Sequence, residues 1–232
     1  MKQVNNQKVT LVLVAGGKGL RMGTAVPKQF LPLAGKPVIY YAAKAFLDAF
    51  PDIKIVVVLP SEAISYGIIL LQSFDQMVDL TIVPGGETRF DSVKNGLKEA
   101  HAEGIIFIHD AVRPFVSKAL ILDCYQTAVR EGTAIPAIPV TDSIRQWDGN
   151  SYKAIDREQL RSVQTPQTFR AEIIVPLFMQ QTFDPSFTDE ATVLEKNGIQ
   201  IQLVAGSKDN IKLTTPEDMA QAESRMMQQS CQ

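Results

Sequence analysis

A chain of 232 residues with 45% hydrophobic and 21% charged content is long enough to bury one large core. Its net charge of −2 provides no overall basic field and argues against nucleic acid as a partner. No apolar run approaches the roughly 18–20 residues of a membrane span, and the opening stretch Met1 to Lys8 lacks the apolar region of a signal peptide. Cys124 and Cys231 stand far apart and supply neither a disulfide framework nor metal-ligand spacing. The expectation is a soluble cytoplasmic protein with reduced thiols.

Taken in chain order, Val9 to Val14 is an apolar, β-branched run that predicts a buried strand. Four glycines follow between Gly16 and Gly23, together with Lys18 and Arg21, and then Pro27-Lys28-Gln29-Phe30. The first 47 residues hold seven Lys or Arg and no carboxylate. A glycine-rich turn with bare amides and unneutralised cations suits a polyphosphate. It matches neither common phosphate loop. G-x-x-x-x-G-K-[ST] is absent, and a G-x-G-x-x-G frame places Lys18 or Met22 where glycine is required. A tight strand-to-helix turn accounts for the glycines as well, without any ligand.

Gly35-Lys36-Pro37 predicts a helix start, with Ile39, Ala42, Ala43 and Phe46 as its apolar stripe and Pro51 as its end. Strands are expected at Ile53–Leu59, Asp79–Val83, Gly104–His109 and Thr133–Val140. Between them lie a helix capped by Ser61, a helix opened by the capping box Thr88-Arg-Phe-Asp91, and a helix from Lys118 to Arg130. Near-continuous apolar strands alternating with helices predict a mostly parallel α/β sheet covered on both faces.

The pattern breaks at Thr141 to Asp156, where two short polar strands flank Asp148-Gly149-Asn150, a hairpin signal. This hairpin carries the single tryptophan, Trp147, and is expected to project as an arm over 141–157 against a second copy of the chain. A surface flap without a partner is the other reading. Helices are then expected at Glu172–Gln180 and Asp189–Asn197, a strand at Gln200–Val204, and a last helix from Thr215-Pro216-Glu217-Asp218 that frays after Met226.

Ligands of open parallel sheets lie beyond the carboxyl ends of the strands. The residues to inspect are therefore the Gly16–Gly23 loop, Gly85-Gly86-Glu87, Asp110-Ala-Val-Arg113 and Thr141-Asp142-Ser143. Gly86 with Ser92 could read a base edge, or simply form a turn. A carboxylate facing a cationic phosphate site calls for a divalent metal between them, so Asp110 is the candidate Mg²⁺ ligand. An Asp110–Arg113 loop clamp is the alternative. Asp209 is a candidate second ligand. Thr165, Thr188 and Lys212 fall in polar clusters that, on the residues alone, read better as turns and caps than as ligand contacts.

Seven motifs occur in order: A-G-G-x-G-x-R-M from Ala15, P-K-Q-F from Pro27, H-D-A-V-R-P from His109, D-R-x-x-L from Asp156, Q-T-P-Q-x-F from Gln164, T-D-E-A from Thr188, and D-N-I-K-x-T from Asp209. Together they resemble the sugar-phosphate nucleotidylyltransferases, and among these the 2-C-methyl-D-erythritol 4-phosphate cytidylyltransferase family. The resemblance implies one Rossmann-like domain over 1–232, CTP as co-substrate, Mg²⁺ and a homodimer formed through the arm. It implies a triphosphate held by Ala15, Gly16, Gly17 and Gly19, with Arg21 and Lys28 stabilising its charge. Gly86, Glu87 and Ser92 would read cytosine, and Asp110 would hold Mg²⁺ and ribose. Arg113, Ser143, Arg157, Thr165, Thr188 and Lys212 would hold the polyol phosphate, Ser143 and Arg157 reaching across from the second subunit. Arg157 and Lys212 would add to the catalytic cations. Ser143 stands where the family pattern has Thr, which keeps the hydroxyl.

Ribitol-5-phosphate cytidylyltransferases share the glycine loop, P-K-Q-F and D-A-V-R-P-F, but Asp156-Arg157 and Thr188-Asp189-Glu190-Ala191 favour the methylerythritol family. Sugar-1-phosphate uridylyl- and guanylyltransferases usually carry a longer C-terminal part. A regulatory protein that binds nucleotide without turnover would need fewer of Arg21, Lys28, Asp110 and Lys212.

Overall fold

Along each long strand, successive apolar side chains enter different cores, because neighbouring residues of a strand point to opposite faces of the sheet. Leu11 and Leu13 pack into one buried cluster while Val12 joins the other. Ile55 and Val57 divide in the same way from Val56 and Val58, as do Ile105 and Phe107 from Ile106 and Ile108. These runs are apolar throughout because both faces are covered.

The computed structural model describes residues 7–15, 26–74 and 77–230. The glycine loop, with Gly16, Gly17, Gly19 and Arg21, lies outside the described residues, as does Cys231. The elements in order are β1 (Val9–Val14), β2 (Pro32–Leu33), β3 (Lys36–Pro37), α1 (Val38–Ala49), β4 (Lys54–Leu59), α2 (Tyr66–Gln72), β5 (Leu80–Pro84), α3 (Arg89–Lys98), β6 (Ile105–Asp110) and α4 (Lys118–Glu131). Then come β7 (Thr133–Pro139), β8 (Ile144–Trp147), β9 (Tyr152–Ile155), β10 (Arg161–Val163), β11 (Gln167–Arg170), α5 (Ala171–Gln180), α6 (Glu190–Lys196), β12 (Leu203–Ala205) and α7 (Pro216–Ser230).

The main sheet has the order β10-β7-β11-β6-β1-β4-β5, with β12 added to β7. The β6-β1-β4-β5 part is parallel, and β12 runs parallel to β7. Helices α1 and α4 supply Phe46 and Ile121 to one face, while α3, α5 and α6 supply Val93, Phe178 and Leu194 to the other. The expected mostly parallel sheet between helical layers is therefore present.

Several local expectations need correction. Pro37 precedes α1 rather than sitting in its first turn, because Leu33 and Lys36 pair across a tight turn with positive φ at Ala34 and Gly35. Ser61 caps no helix; it begins a single 3₁₀ turn and α2 starts only at Tyr66. Helix α7 continues through Ser230 instead of fraying at Met226. The largest difference is β10 and β11, which run antiparallel to β7 where only polar clusters were expected. Their residues include Gln167 and Thr168, both buried, so the composition hides a strand that lies between β6 and β7. Between the pairs Val163–Ala137 and Thr168–Ala134, residues 164–167 face only 135–136. The resulting bend carries Thr165 and the cis Thr165–Pro166 peptide to the carboxyl end of β6.

The hairpin β8–β9 is a separate two-stranded sheet whose tip is held by Asp148, which accepts from the Asn150 and Ser151 amides. Trp147 and Tyr152 pair across it at 4.8 Å between ring centroids and are 53% and 69% exposed. Among the described residues no helix is long and apolar enough to cross a membrane.

Candidate active site at the strand ends

Ala15 leaves β1 with its amide bonded to the Val58 carbonyl, and its own carbonyl accepts from the buried Gln29 side chain at 2.7 Å. That bond folds Pro27-Lys28-Gln29-Phe30 back over the strand end as a 3₁₀ turn, anchored by Phe30 against Tyr66. Lys28 Nζ in turn donates to the Leu213 carbonyl at 3.3 Å, and the Leu213 amide donates to the Val112 carbonyl. Two distant segments thus meet the Asp110–Arg113 loop.

Asp110 ends β6 with its side chain only 10% exposed. Lys212 Nζ approaches its Oδ2 at 2.9 Å and Arg113 Nε approaches the same oxygen at 3.4 Å. Arg89 lies 3.7 Å from Oδ1. Burial raises the carboxyl's pKa, but Arg89, Lys212 and Arg113 together hold it well below the usual carboxylate range. Asp110 is therefore ionised wherever the protein is folded near neutrality.

Its amide donates to Thr165 Oγ1 at 3.1 Å, and that hydroxyl lies 3.0 Å from His109 Nδ1. His109 Nε2 lies 3.2 Å from the Arg113 carbonyl, which only accepts, so the ring proton sits on Nε2. Burial pushes the ring's pKa down to about 4 and keeps it neutral. Asn210 donates to the Thr165 carbonyl at 2.8 Å, and its own carbonyl accepts from Arg113 at 2.7 Å. Gln164 and Ser207 bond each other twice. The β6 loop, the β10–β11 bend and residues 207–213 are thereby stitched into one polar platform.

The β5–α3 turn contributes differently. The Ser92 hydroxyl accepts from the Gly86 amide at 3.1 Å and donates to the Thr88 carbonyl at 2.9 Å. Ser92 thus shapes the turn that presents Gly86 and the exposed Glu87. The expected capping box forms, Thr88 accepting from the Asp91 amide and Asp91 from the Thr88 amide.

The fold brings Asp110, Arg113, Thr165 and Lys212 into direct contact and sets Lys28 beside them through Leu213. Ser143 and Arg157 do not join that contact; they stand exposed at the base of the hairpin, where Arg157 donates to the Thr141 carbonyl at 2.6 Å. Thr188 is exposed and is not the cap of α6, a place taken by Asp189.

Neither Arg89 nor Glu190 has a role in the sequence reading, yet the half-buried Arg89 and the buried Glu190 form a bidentate pair at the site. A signal was available. An arginine in the first turn of α3 opposes the helix dipole, which calls for a carboxylate partner elsewhere in the fold.

The family model for 2-C-methyl-D-erythritol 4-phosphate cytidylyltransferase matches residues 9–228. The chain is 41% identical over 212 residues to a protein of that name from Bacteroides thetaiotaomicron, covering 91% of this chain and 96% of that one. It is 42% identical over 213 residues to one from Phocaeicola vulgatus, covering 92% and 97%. The crystal structure of the Thermus thermophilus protein of the same name superposes with a TM-score of 0.75 at 29% identity, covering 95% of this chain and 99% of that chain. By sequence and by fold, this chain belongs to the 2-C-methyl-D-erythritol 4-phosphate cytidylyltransferase family.

Proposed function

We infer that the chain transfers a cytidylyl group from CTP to 2-C-methyl-D-erythritol 4-phosphate, releasing pyrophosphate. The observation that carries this reading on the protein itself is the ionised Asp110 gathered with Arg113, Lys212 and the Thr165 bend at the strand ends. The nucleophile is the substrate's own phosphate, already ionised at neutral pH, so no general base is required. The site agrees with that, since the histidine at its floor is neutral and engaged at both ring nitrogens. The phosphate oxygen forms a bond to the α-phosphorus as the bond to the pyrophosphate oxygen breaks. Catalysis is then positioning and charge stabilisation.

In this reading Gly16, Gly17 and Gly19 offer amides to the triphosphate and Arg21 and Lys28 neutralise it, while Ala15, its own amide spent on the Val58 carbonyl, only borders the nucleotide. Gly86, Glu87 and Ser92 border the cytosine. Arg113, Thr165, Thr188 and Lys212 hold the methylerythritol phosphate. Ser143 and Arg157 complete that site from a second copy, the arm of 141–157 forming the dimer contact. Support for the arm comes from its exposed Trp147 and Tyr152, which bury little within one subunit. We take 1–232 as one nucleotidylyltransferase domain, since the sheet draws strands from β1 to β12. A reducing, cytoplasmic setting fits Cys124, a buried thiol pushed up to about 12 by burial.

Mg²⁺ fits the residues present only as a substrate-assisted site. Among the described residues no cluster of three His, Cys, Asp or Glu could hold a metal by itself. Asp209 turns its carboxylate to Arg225 at 3.0 Å. Asp110 supplies one ionised carboxylate, and one or two carboxylates with substrate phosphates are the usual Mg²⁺ set. When bound, the ion would neutralise charge on the triphosphate.

The test is pyrophosphate release from CTP mixed with methylerythritol phosphate or ribitol 5-phosphate. The expected result is a kcat/KM higher for the former by a factor of about 10² or more. Release with ribitol 5-phosphate alone, or with neither, would overturn the assignment.

A further inference from the structure

Arg89 lies between two carboxylates and does not treat them alike. Its guanidinium meets Glu190 with both terminal nitrogens, one of them at 3.1 Å from Oε2, yet stays 3.7 Å from Asp110 Oδ1. A planar fork matched to a carboxylate in this way has its direction fixed. Both ends of the pair are anchored. Arg89 lies inside the Thr88–Asp91 capping box, directly after its cap, and Glu190, 1% exposed, holds the same place in the Asp189–Thr192 capping box. Gln167 ties that second helix start to β11, donating to Asp189 at 2.8 Å and accepting from the Ala191 amide at 2.9 Å.

The two oxygens of Asp110 are consequently unequal. Oδ2 receives Lys212 and Arg113, whereas among the described residues Oδ1 has only the distant Arg89. We propose that Arg89 and Glu190 are a positioning pair: Glu190 holds the guanidinium off Asp110 Oδ1 and so keeps that oxygen open to a divalent cation. The inference rests on the proposed role of Asp110 as metal ligand. Without Glu190, Asp110 is the nearest anion, and Arg89 closes onto Oδ1 and competes with the metal.

The pair also joins the turn bearing Gly86 to the Thr188 segment, since each partner opens the helix that follows one of them.

The experiment measures Mn²⁺ binding by electron paramagnetic resonance to full-length protein with CTP and without the polyol phosphate. Glu190→Gln is expected to weaken Mn²⁺ binding roughly three- to tenfold, the effect of one cation moving onto a partly buried carboxylate. The double variant R89M/E190Q removes the ion pair as a whole, which leaves no unpaired charge and is often neutral for the fold, and is expected to bind Mn²⁺ at least as tightly as wild type. A pair that merely supports the fold would weaken binding in both. Glu190→Gln within twofold of wild type, or the double variant weaker than wild type, overturns the proposal. If Glu190→Gln does not fold, the double variant decides alone by the same criterion. Asp110→Asn separates the premises: unchanged Mn²⁺ binding there removes the metal role of Asp110, and the proposal with it. A clear loss in Asp110→Asn beside no change in Glu190→Gln removes only the positioning pair.

Discussion

The Thr165 hydroxyl lies 3.0 Å from His109 Nδ1 and 3.1 Å from the amide of Asp110, so one side chain joins the β10–β11 bend to the end of β6. With Nε2 protonated, Nδ1 accepts from the hydroxyl, and the hydroxyl accepts from the amide. Protonating Nδ1 would break this chain.

A pH dependence follows. Burial lowers His109 from 6.5 to about 4, outweighing the pull of the Asp110 charge. The unfolded state therefore binds the proton more readily, and stability rises with pH between these values. The contribution is complete above about pH 6.5 and is lost as pH falls towards 4. It amounts to about 3 kcal/mol for this fully buried ring. Asp110, held below the usual carboxylate range, contributes its own loss only at lower pH. Urea unfolding at pH 7 and pH 4.5 should show the fall, and His109→Gln should flatten it. An equal slope in both proteins would contradict this role of His109.

Gly86 is a position where a side chain does not fit. A Cβ there would lie 2.2 Å from Asp91 Cβ and 3.0 Å from the Asp91 backbone carbon. Asp91 belongs to the capping box and cannot yield without losing it. Gly86→Ala is expected to cost about 1–3 kcal/mol and to raise KM for CTP more than KM for methylerythritol phosphate. Equal changes in the two KM values would detach this turn from the nucleotide.

Lys28→Ala is expected to lower kcat by roughly 10²–10³-fold, as loss of one preorganised donor does. Thermal unfolding should move little, because the turn itself is held by Gln29 and Phe30. Activity within a factor of three of wild type would sink the catalytic role.

The arm yields a paired prediction. Arg157→Ala should raise KM for methylerythritol phosphate, spare CTP affinity and leave the oligomeric state intact. Replacing both Trp147 and Tyr152 by Ala should shift sedimentation towards a monomer and reproduce the same KM defect. A monomeric wild-type protein would leave the arm as a surface flap.

By itself the sequence determined the long elements and the chemistry. Runs such as Val9–Val14 can only be satisfied by burial on two faces, and the hairpin and the capping box are local devices whose residues need no distant partner. Seven ordered motifs carried the family. Tertiary structure alone decided the rest. Strand β11 is polar and four residues long, and it exists because β6 and β7 offer their edges to it. The Thr165 bend, the three cations around Asp110 and the Arg89–Glu190 pair join residues up to 102 positions apart. Such contacts depend on where helices and strands converge, and no local pattern of charge or hydropathy records that.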